Sequence, residues 1–252
     1  MIDAWSGRQK LERLNFWVGW RTFPARCIIG ADPQREGCTT VLVNARGTPG
    51  SLAFLAITRH DRTPVIVSAH HVLFGGGASA GDAVYATDRL PRASRWRRVG
   101  RTLYGRSGIV RHNGVSAYVD CAVAAIEWPD LAARVLSATE LTNVSAAALA
   151  PGDRVIKVGA ATGTTEGVVA EVAHRVEALS HRKLDAPGQL LVRSTVRGRP
   201  FAAEGDSGAA VRNRDGDVVG VLWAATAAGE GIASPIEPVL YVLHVMPQSG
   251  DL

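Results

Sequence analysis

Between residues 39 and 225 the chain is a succession of short runs rich in Val, Ile, Leu and Thr, punctuated by Gly, Asp, Asn and Pro. β-Branched and aliphatic side chains fit a pleated, partly buried strand, and the punctuating residues supply turns. Strands are expected near 39–44, 52–59, 64–68, 82–87, 97–104, 119–126, 154–160, 166–175, 188–196, 208–213 and 217–225. Almost nothing of helical period separates them, which argues against a βαβ fold and for an all-β barrel or sandwich. Asp215-Gly216, set between two apolar runs, is a hairpin signal. Helical spacing is confined to the ends. Leu11, Leu14, Phe16 and Trp17 predict a short amphipathic helix over 7–19, and the apolar residues of 236–246 predict a terminal one.

A chain of 252 residues can hold one large β domain or two small ones. With 46% hydrophobic and 20% charged residues it can bury a substantial core, which excludes a mainly disordered chain. The small, polar stretch 137–152 reads as a connector between two halves. Lysine occurs only at Lys10, Lys157 and Lys183, so the net charge of +5 is carried by arginine, which alone does not indicate a nucleic-acid partner. Cys27, Cys38 and Cys121 form neither a disulfide framework nor a metal-ligand spacing, and no His-Glu-x-x-His occurs, so no catalytic metal is expected. The amino-terminal residues are charged before any apolar stretch, and no apolar run approaches the ~20 residues of a membrane span. Neither a secretory leader nor a membrane is expected, and the cytoplasm is the expected location.

Three segments carry chemistry. Gly205-Asp206-Ser207-Gly208 is a glycine-flanked turn of the kind that exposes a nucleophilic hydroxyl, with the N–H groups of Gly205 and Ser207 free to converge on an oxyanion. A plain β-turn is the alternative. The apolar run Pro64–Ser68 leads through Ala69 to His70 and His71, where a general base would be held rigidly. Asp120 is embedded in the apolar run Val119–Ile126; a buried carboxylate is costly unless paired, and orienting an imidazole is a reason to keep one.

Together these segments resemble the chymotrypsin-like (trypsin-fold) serine peptidases, whose chain order is also His, Asp, Ser. The likeness runs from about Cys38 to Met246. It is strongest toward the non-secreted bacterial and plant branch, through Val67–Val72, Lys157–Gly167 and Ile232–Leu240. It implies two packed six-stranded antiparallel β-barrels with a short N-terminal and a C-terminal helix. The implied layout is an extension over 1–27 and a peptidase domain over 28–252. Within that domain the first barrel spans about 28–136, the connector 137–152, the second barrel about 153–235 and the helix 236–246.

The resemblance also implies roles: His71 as base, Asp120 as its orienter, Ser207 as nucleophile, and Gly205 and Ser207 as the oxyanion hole. Ser68-Ala69-His70-His71-Val72 aligns on the family's Thr-Ala-Ala-His-Cys, which selects His71 over His70. Phe201, six residues before the serine, falls at the base of the specificity pocket, with Ala224 and Ala225 on its wall. That set implies cleavage after an apolar or small residue of a protein or peptide substrate, with no cofactor or metal. The alternative class is a catalytically silent, or partner-activated, binding module of the same fold.

Several other features are weighed against these. Gly105-Arg106-Ser107-Gly108 also looks like a serine turn but lacks the preceding Asp, and a hairpin is expected there. Gly159–Gly167 lacks the Gly-Lys-Ser/Thr ending of a phosphate loop. The arginines between Arg92 and Arg111, with Trp96 and Tyr104, fit a solvated hairpin better than a nucleic-acid site. Cys121 is expected to be a small core residue. Ile28-Ile29-Gly30-Ala31 is similar to the cleaved terminus whose ammonium pairs with the Asp before the serine in secreted relatives. Cleavage after Cys27 is an unusual site, so Asp206 is expected to find another donor, such as a backbone N–H or an Arg.

Overall fold

A computed structural model describes residues 41–87, 96–129, 149–179 and 182–247. The expected helix over 7–19, the Ile28 segment and most of the 137–152 connector lie outside these residues.

The first unit is built from Val41–Asn44 (β1), Pro49–Ser51 (β2), Phe54–Thr58 (β3), Pro64–Ser68 (β4), Ala83–Thr87 (β5), Arg97–His112 (β6) and Val115–Ile126 (β7). A single helical turn, His70–Leu73 (α1), follows β4. With the terminal strand Val245–Pro247 (β14) these form an antiparallel eight-stranded sheet in the order β14-β3-β4-β7-β6-β5-β1-β2. Six of its strands were expected; the other two, β2 and β14, are three-residue pieces added at its two edges.

Alternation within β3, β4 and β7 decides what lies on each face. Leu55, Ile57, Ile66, Ala122 and Ala124 enter one buried cluster. Phe54, Ala56, Val65, Val67, Val119, Cys121 and Val123 enter another. Both faces are covered, which is why these segments read as continuous apolar runs rather than alternating ones. Each fully buried aliphatic side chain contributes about 1.5–3 kcal/mol.

The second unit is a closed barrel of Arg154–Gly159 (β8), Gly163–Leu179 (β9), Arg182–Ser194 (β10), Ala210–Arg212 (β11), Val218–Ala225 (β12) and Gly231–Pro235 (β13). Its order is β10-β13-β12-β11-β8-β9, with β9 and β10 paired to close it. Val155, Val169, Leu190, Val192, Phe201 and Val211 fill its interior. Both clusters continue into this barrel, the first through Leu191, Trp223 and Ile232 and the second through Ala210, Val218 and Val221, so apolar side chains join the two halves.

The terminal helix, expected over 236–246, is Ile236–Leu243 (α2). His244 takes a left-handed φ of 48°, which stops the helix and turns Val245–Pro247 onto β3, with Val245 opposite Thr58. Gly105–Gly108 is also corrected: it lies inside β6, and the hairpin turn is Asn113-Gly114. The glycine at 105 serves close packing, since a Cβ there would lie 2.5 Å from that of Ala122. The Asp215-Gly216 turn forms between β11 and β12, with Gly216 at φ 87°. Arginines of β6 are engaged within the chain: Arg98 and Arg101 pair with Glu127 at 2.8 and 3.6 Å, and Arg97 lies over the Trp128 ring.

Candidate active site

The end of β4 delivers His71 on α1, and β7 delivers Asp120 beneath it. The His71 Nδ1 lies 2.9 Å from Asp120 Oδ1, and the His71 backbone N–H donates to the same oxygen at 3.1 Å. The carboxylate side chain is 6% exposed and the imidazole 43%, so the pair has a buried end and an open one. A carboxylate facing Nδ1 holds the ring proton there and leaves Nε2 as an acceptor on the open side.

Asp120 is itself held. Ser107 Oγ donates to Oδ2 at 3.3 Å and lies 2.7 Å from the Tyr118 hydroxyl. The Asp120 N–H donates to Ser234 Oγ at 3.4 Å. Ser107 is therefore part of the site, a role that sequence reasoning missed. Nothing local signals it; the β6–β7 register, which sets Ser107 opposite Asp120, brings it there.

His70 is half-buried and stacks on Phe74 with ring centroids 5.1 Å apart. Burial pushes its pKa down, so its imidazole stays neutral at neutral pH. Cys121 is buried, and desolvation together with the Asp120 charge pushes its thiol far up. A thiol so held is a poor nucleophile.

The Ser207 turn is entered through Gly205 at φ 97° and left through Gly208 at φ 93°, both in the left-handed region. Within it the Asp206 N–H donates to Ala203 O at 3.0 Å, the Gly208 N–H to Leu222 O at 2.7 Å and the Ala209 N–H to Asp206 O at 3.0 Å. The Gly205 and Ser207 N–H groups have no acceptor among the described residues. The Gly205 and Ser207 amides thus stay unclaimed, while those of Asp206, Gly208 and Ala209 are satisfied. Ser207 Oγ donates to Trp223 O at 3.1 Å.

The first sheet reaches across to this turn. Ser51 N–H donates to Ser207 O at 2.7 Å, and Ser51 Oγ donates to Gly205 O at 3.0 Å. Gly208 backs onto Ser68 and Ala69, the residues that lead into His70 and His71. The three segments named from the sequence therefore converge. Asp206 finds its donors in backbone N–H groups and in Lys157; the arginine offered as an alternative is not used.

Beside the turn lies a cleft of about 1060 Å³, lined by Ala202, Ala203, Ala225, Thr226, Gly229 and Ile232. Arg199 and Glu204 border it, together with His174–Glu177 of β9. Ala225 lies on its wall. Phe201 and Ala224 do not: Phe201 is buried in the barrel core and Ala224 in the cluster of the first unit. The Phe201 N–H is tied to Gly229 O at 2.8 Å, and its ring packs on Gly231 and Gly167. The lining is mixed: Val176, Pro200, Ala202, Ala225 and Ile232 are apolar, and His174, Arg175, Glu177, Arg199 and Glu204 are polar or charged. Among the described residues no group of three His, Cys, Asp or Glu could hold a metal ion, and no helix is long and apolar enough to cross a membrane.

No family model matches the sequence, and no curated protein matches it. Solved structures do. A glutamic-acid-specific serine protease that utilizes a histidine triad in substrate binding superposes with a TM-score of 0.53 at 18% identity, covering 82% of this chain and 97% of its own. Thermobifida fusca protease A gives 0.51 at 18% identity, with 80% and 92% covered. Cellulomonas bogoriensis chymotrypsin gives 0.51 at 15% identity, with 83% and 96% covered. Identities this low speak to architecture, and the chain has the double-barrel fold of the chymotrypsin-like serine proteases.

Proposed function

We propose that the chain is a serine endopeptidase acting through His71, Asp120 and Ser207. The observation that carries this reading is the pairing of a buried carboxylate with an open imidazole beside a serine turn whose Gly205 and Ser207 amides are both unclaimed. That set matches the needs of acyl transfer: a base, an orienter, a nucleophile and two donors for a developing oxyanion.

In the proposed course the Ser207 hydroxyl rotates off the Trp223 carbonyl, and its proton passes to His71 Nε2 as Oγ attacks the scissile carbonyl carbon. The oxyanion accepts from the Gly205 and Ser207 N–H groups. The Asp120 carboxylate stabilises the imidazolium, which returns its proton to the leaving amine as the C–N bond breaks. Water, deprotonated through His71, then releases the acyl group. Each oxyanion donor is worth roughly 10²–10³ in kcat. The chain's substrates are proteins or peptides, met in the cytoplasm, and no cofactor or metal takes part.

A fluorophosphonate probe tests the assignment. Purified protein is expected to gain one adduct, mapped by mass spectrometry to the peptide carrying Ser207. An adduct elsewhere sinks the reading, and no adduct favours a silent or partner-activated module of the same fold. His70→Ala is expected to keep most of the hydrolysis rate, because His70 contacts Phe74 and lies off the proton path; a dead variant would reassign the base. Ile232, Ala225 and Ala202 are among the residues that line the cleft, and a peptide library is expected to be cut after apolar or small residues. A profile dominated by cleavage after Arg or Lys would contradict that.

A further inference from the structure

Gln189 is fully buried, and no step of the proposed mechanism uses it. Its side chain reaches across the boundary between the two units. Nε2 donates to Tyr118 O of β7 at 2.8 Å and to Pro187 O at 2.8 Å, and Oε1 accepts the Trp223 indole N–H of β12 at 2.7 Å. The partners fix which way the amide faces, since an indole nitrogen only donates and a peptide carbonyl only accepts. An apolar side chain could fill the same space with none of these bonds. A buried polar side chain bonded at both ends holds its neighbours in one arrangement.

β10 is shaped to put Gln189 there. Its pairing with β9 shifts register on both sides of Gln189, and Gly188 takes a φ of 70°. Irregularities of this kind re-aim a side chain. Gly188 also lets β10 close on β7: a Cβ there would sit 2.8 Å from Ser116 O and 3.1 Å from Ala117 Cβ. Each residue that Gln189 grips stands one step from the candidate triad. Tyr118 precedes Asp120 by two residues on β7, so both side chains share a face. The Tyr118 hydroxyl lies 2.7 Å from Ser107 Oγ, the donor to Asp120 Oδ2. Trp223 is the residue whose carbonyl accepts from Ser207 Oγ at 3.1 Å. The Tyr118 and Trp223 rings also pack on each other, with centroids 5.1 Å apart.

We infer that Gln189 is a positioning residue: through Tyr118 and Trp223 it fixes the strand that carries Asp120 against the strand whose carbonyl holds Ser207, and so sets base and nucleophile in register across the two halves. His71 and Asp120 come from the first unit and Ser207 from the second, so their mutual placement depends on how the halves are joined. Apolar packing at that boundary tolerates small slips, whereas the two bonds from Gln189 to Tyr118 and Trp223 do not. A misplacement of about 1 Å can cost about 10²-fold in rate.

The effect on turnover rests on the serine-peptidase reading; the link between the strands does not, and the experiment reads them separately. Among the indole N–H signals of the six tryptophans, that of Trp223 is assigned by its loss in Trp223→Phe. It is expected to exchange slowly in wild type and about tenfold or more faster in Gln189→Met. Turnover by Gln189→Met is expected to fall roughly 10²-fold in kcat with KM within about threefold, and fluorophosphonate labelling to slow in proportion. Trp223→Phe keeps a ring against Tyr118 but loses the donor, and is expected to lose about tenfold in kcat. The double variant is expected to be no slower than Gln189→Met, because both changes break the same link. A residue that served stability alone would lower the melting temperature and leave kcat of the folded variants unchanged, which overturns the inference. Fast indole exchange in wild type, or losses that multiply in the double variant, overturn it as well. Trp223→Phe decides it if Gln189→Met does not fold. Accelerated exchange in Gln189→Met with no labelling of wild type leaves the link between the strands standing and counts against the peptidase reading instead.

Discussion

Ser207→Ala and His71→Ala are each expected to lower peptide turnover about 10⁶-fold, and Asp120→Asn about 10⁴-fold. The graded loss follows from the geometry. Without the Ser207 hydroxyl there is no acyl-enzyme, and without the His71 imidazole nothing takes its proton. In Asp120→Asn both groups remain, but the new amide can donate to Nδ1. The ring proton then moves to Nε2, the atom that must accept from Ser207. The Ser107 and Ser234 contacts to residue 120 survive in part, so the fold is expected to persist. Turnover is measured alongside thermal unfolding. Hydrolysis that survives in Ser207→Ala would sink the mechanism, and a large fall in melting temperature for Asp120→Asn would assign the carboxylate a structural role.

The candidate triad was legible because each of its members announces itself within a few residues. Glycines flank Ser207, an apolar strand ends at His71, and an acid interrupts the apolar run around Asp120. Ser107 and Lys157 carry no such local mark. Ser107 reaches Asp120 only through the β6–β7 register, and Lys157 reaches Asp206 only because β8 stands next to β11 in the closed barrel. Roles that depend on long-range pairing do not show in the spacing of neighbours.

The same physics explains the other departures. Three-residue edge strands such as β2 and β14 are too short for an alternation to show in the sequence. Counting back from the serine led to Phe201 as the pocket base. The hydrogen bond from its N–H to Gly229 O and the space left by Gly167 and Gly231 draw the ring into the barrel core instead.

Gly208→Ala is expected to cost roughly 4 kcal/mol, a large share of the stability of a domain this size. Two terms add. At φ 93° an L side chain is strained by about 1–2 kcal/mol. The new Cβ would also sit 2.3 Å from both Ser51 O and Ser68 Oγ, where an overpacking cost of about 1–3 kcal/mol is ordinary. Neither neighbour can step aside cheaply. The Ser51 N–H is bonded to Ser207 O, Ser68 Oγ donates to Ser51 O at 2.8 Å, and the Gly208 N–H is bonded to Leu222 O across the barrel. Gly205→Ala separates the two terms, because it shares the backbone strain at φ 97° but meets nothing nearer than Ala161 Cβ at 3.3 Å. It is expected to lose only about 1–2 kcal/mol. Urea unfolding of the two variants side by side makes the comparison. Equal losses would mean that the first sheet parts from the serine turn at Ser51 rather than resisting the methyl group, and the rigid joint between the two halves would have to be given up.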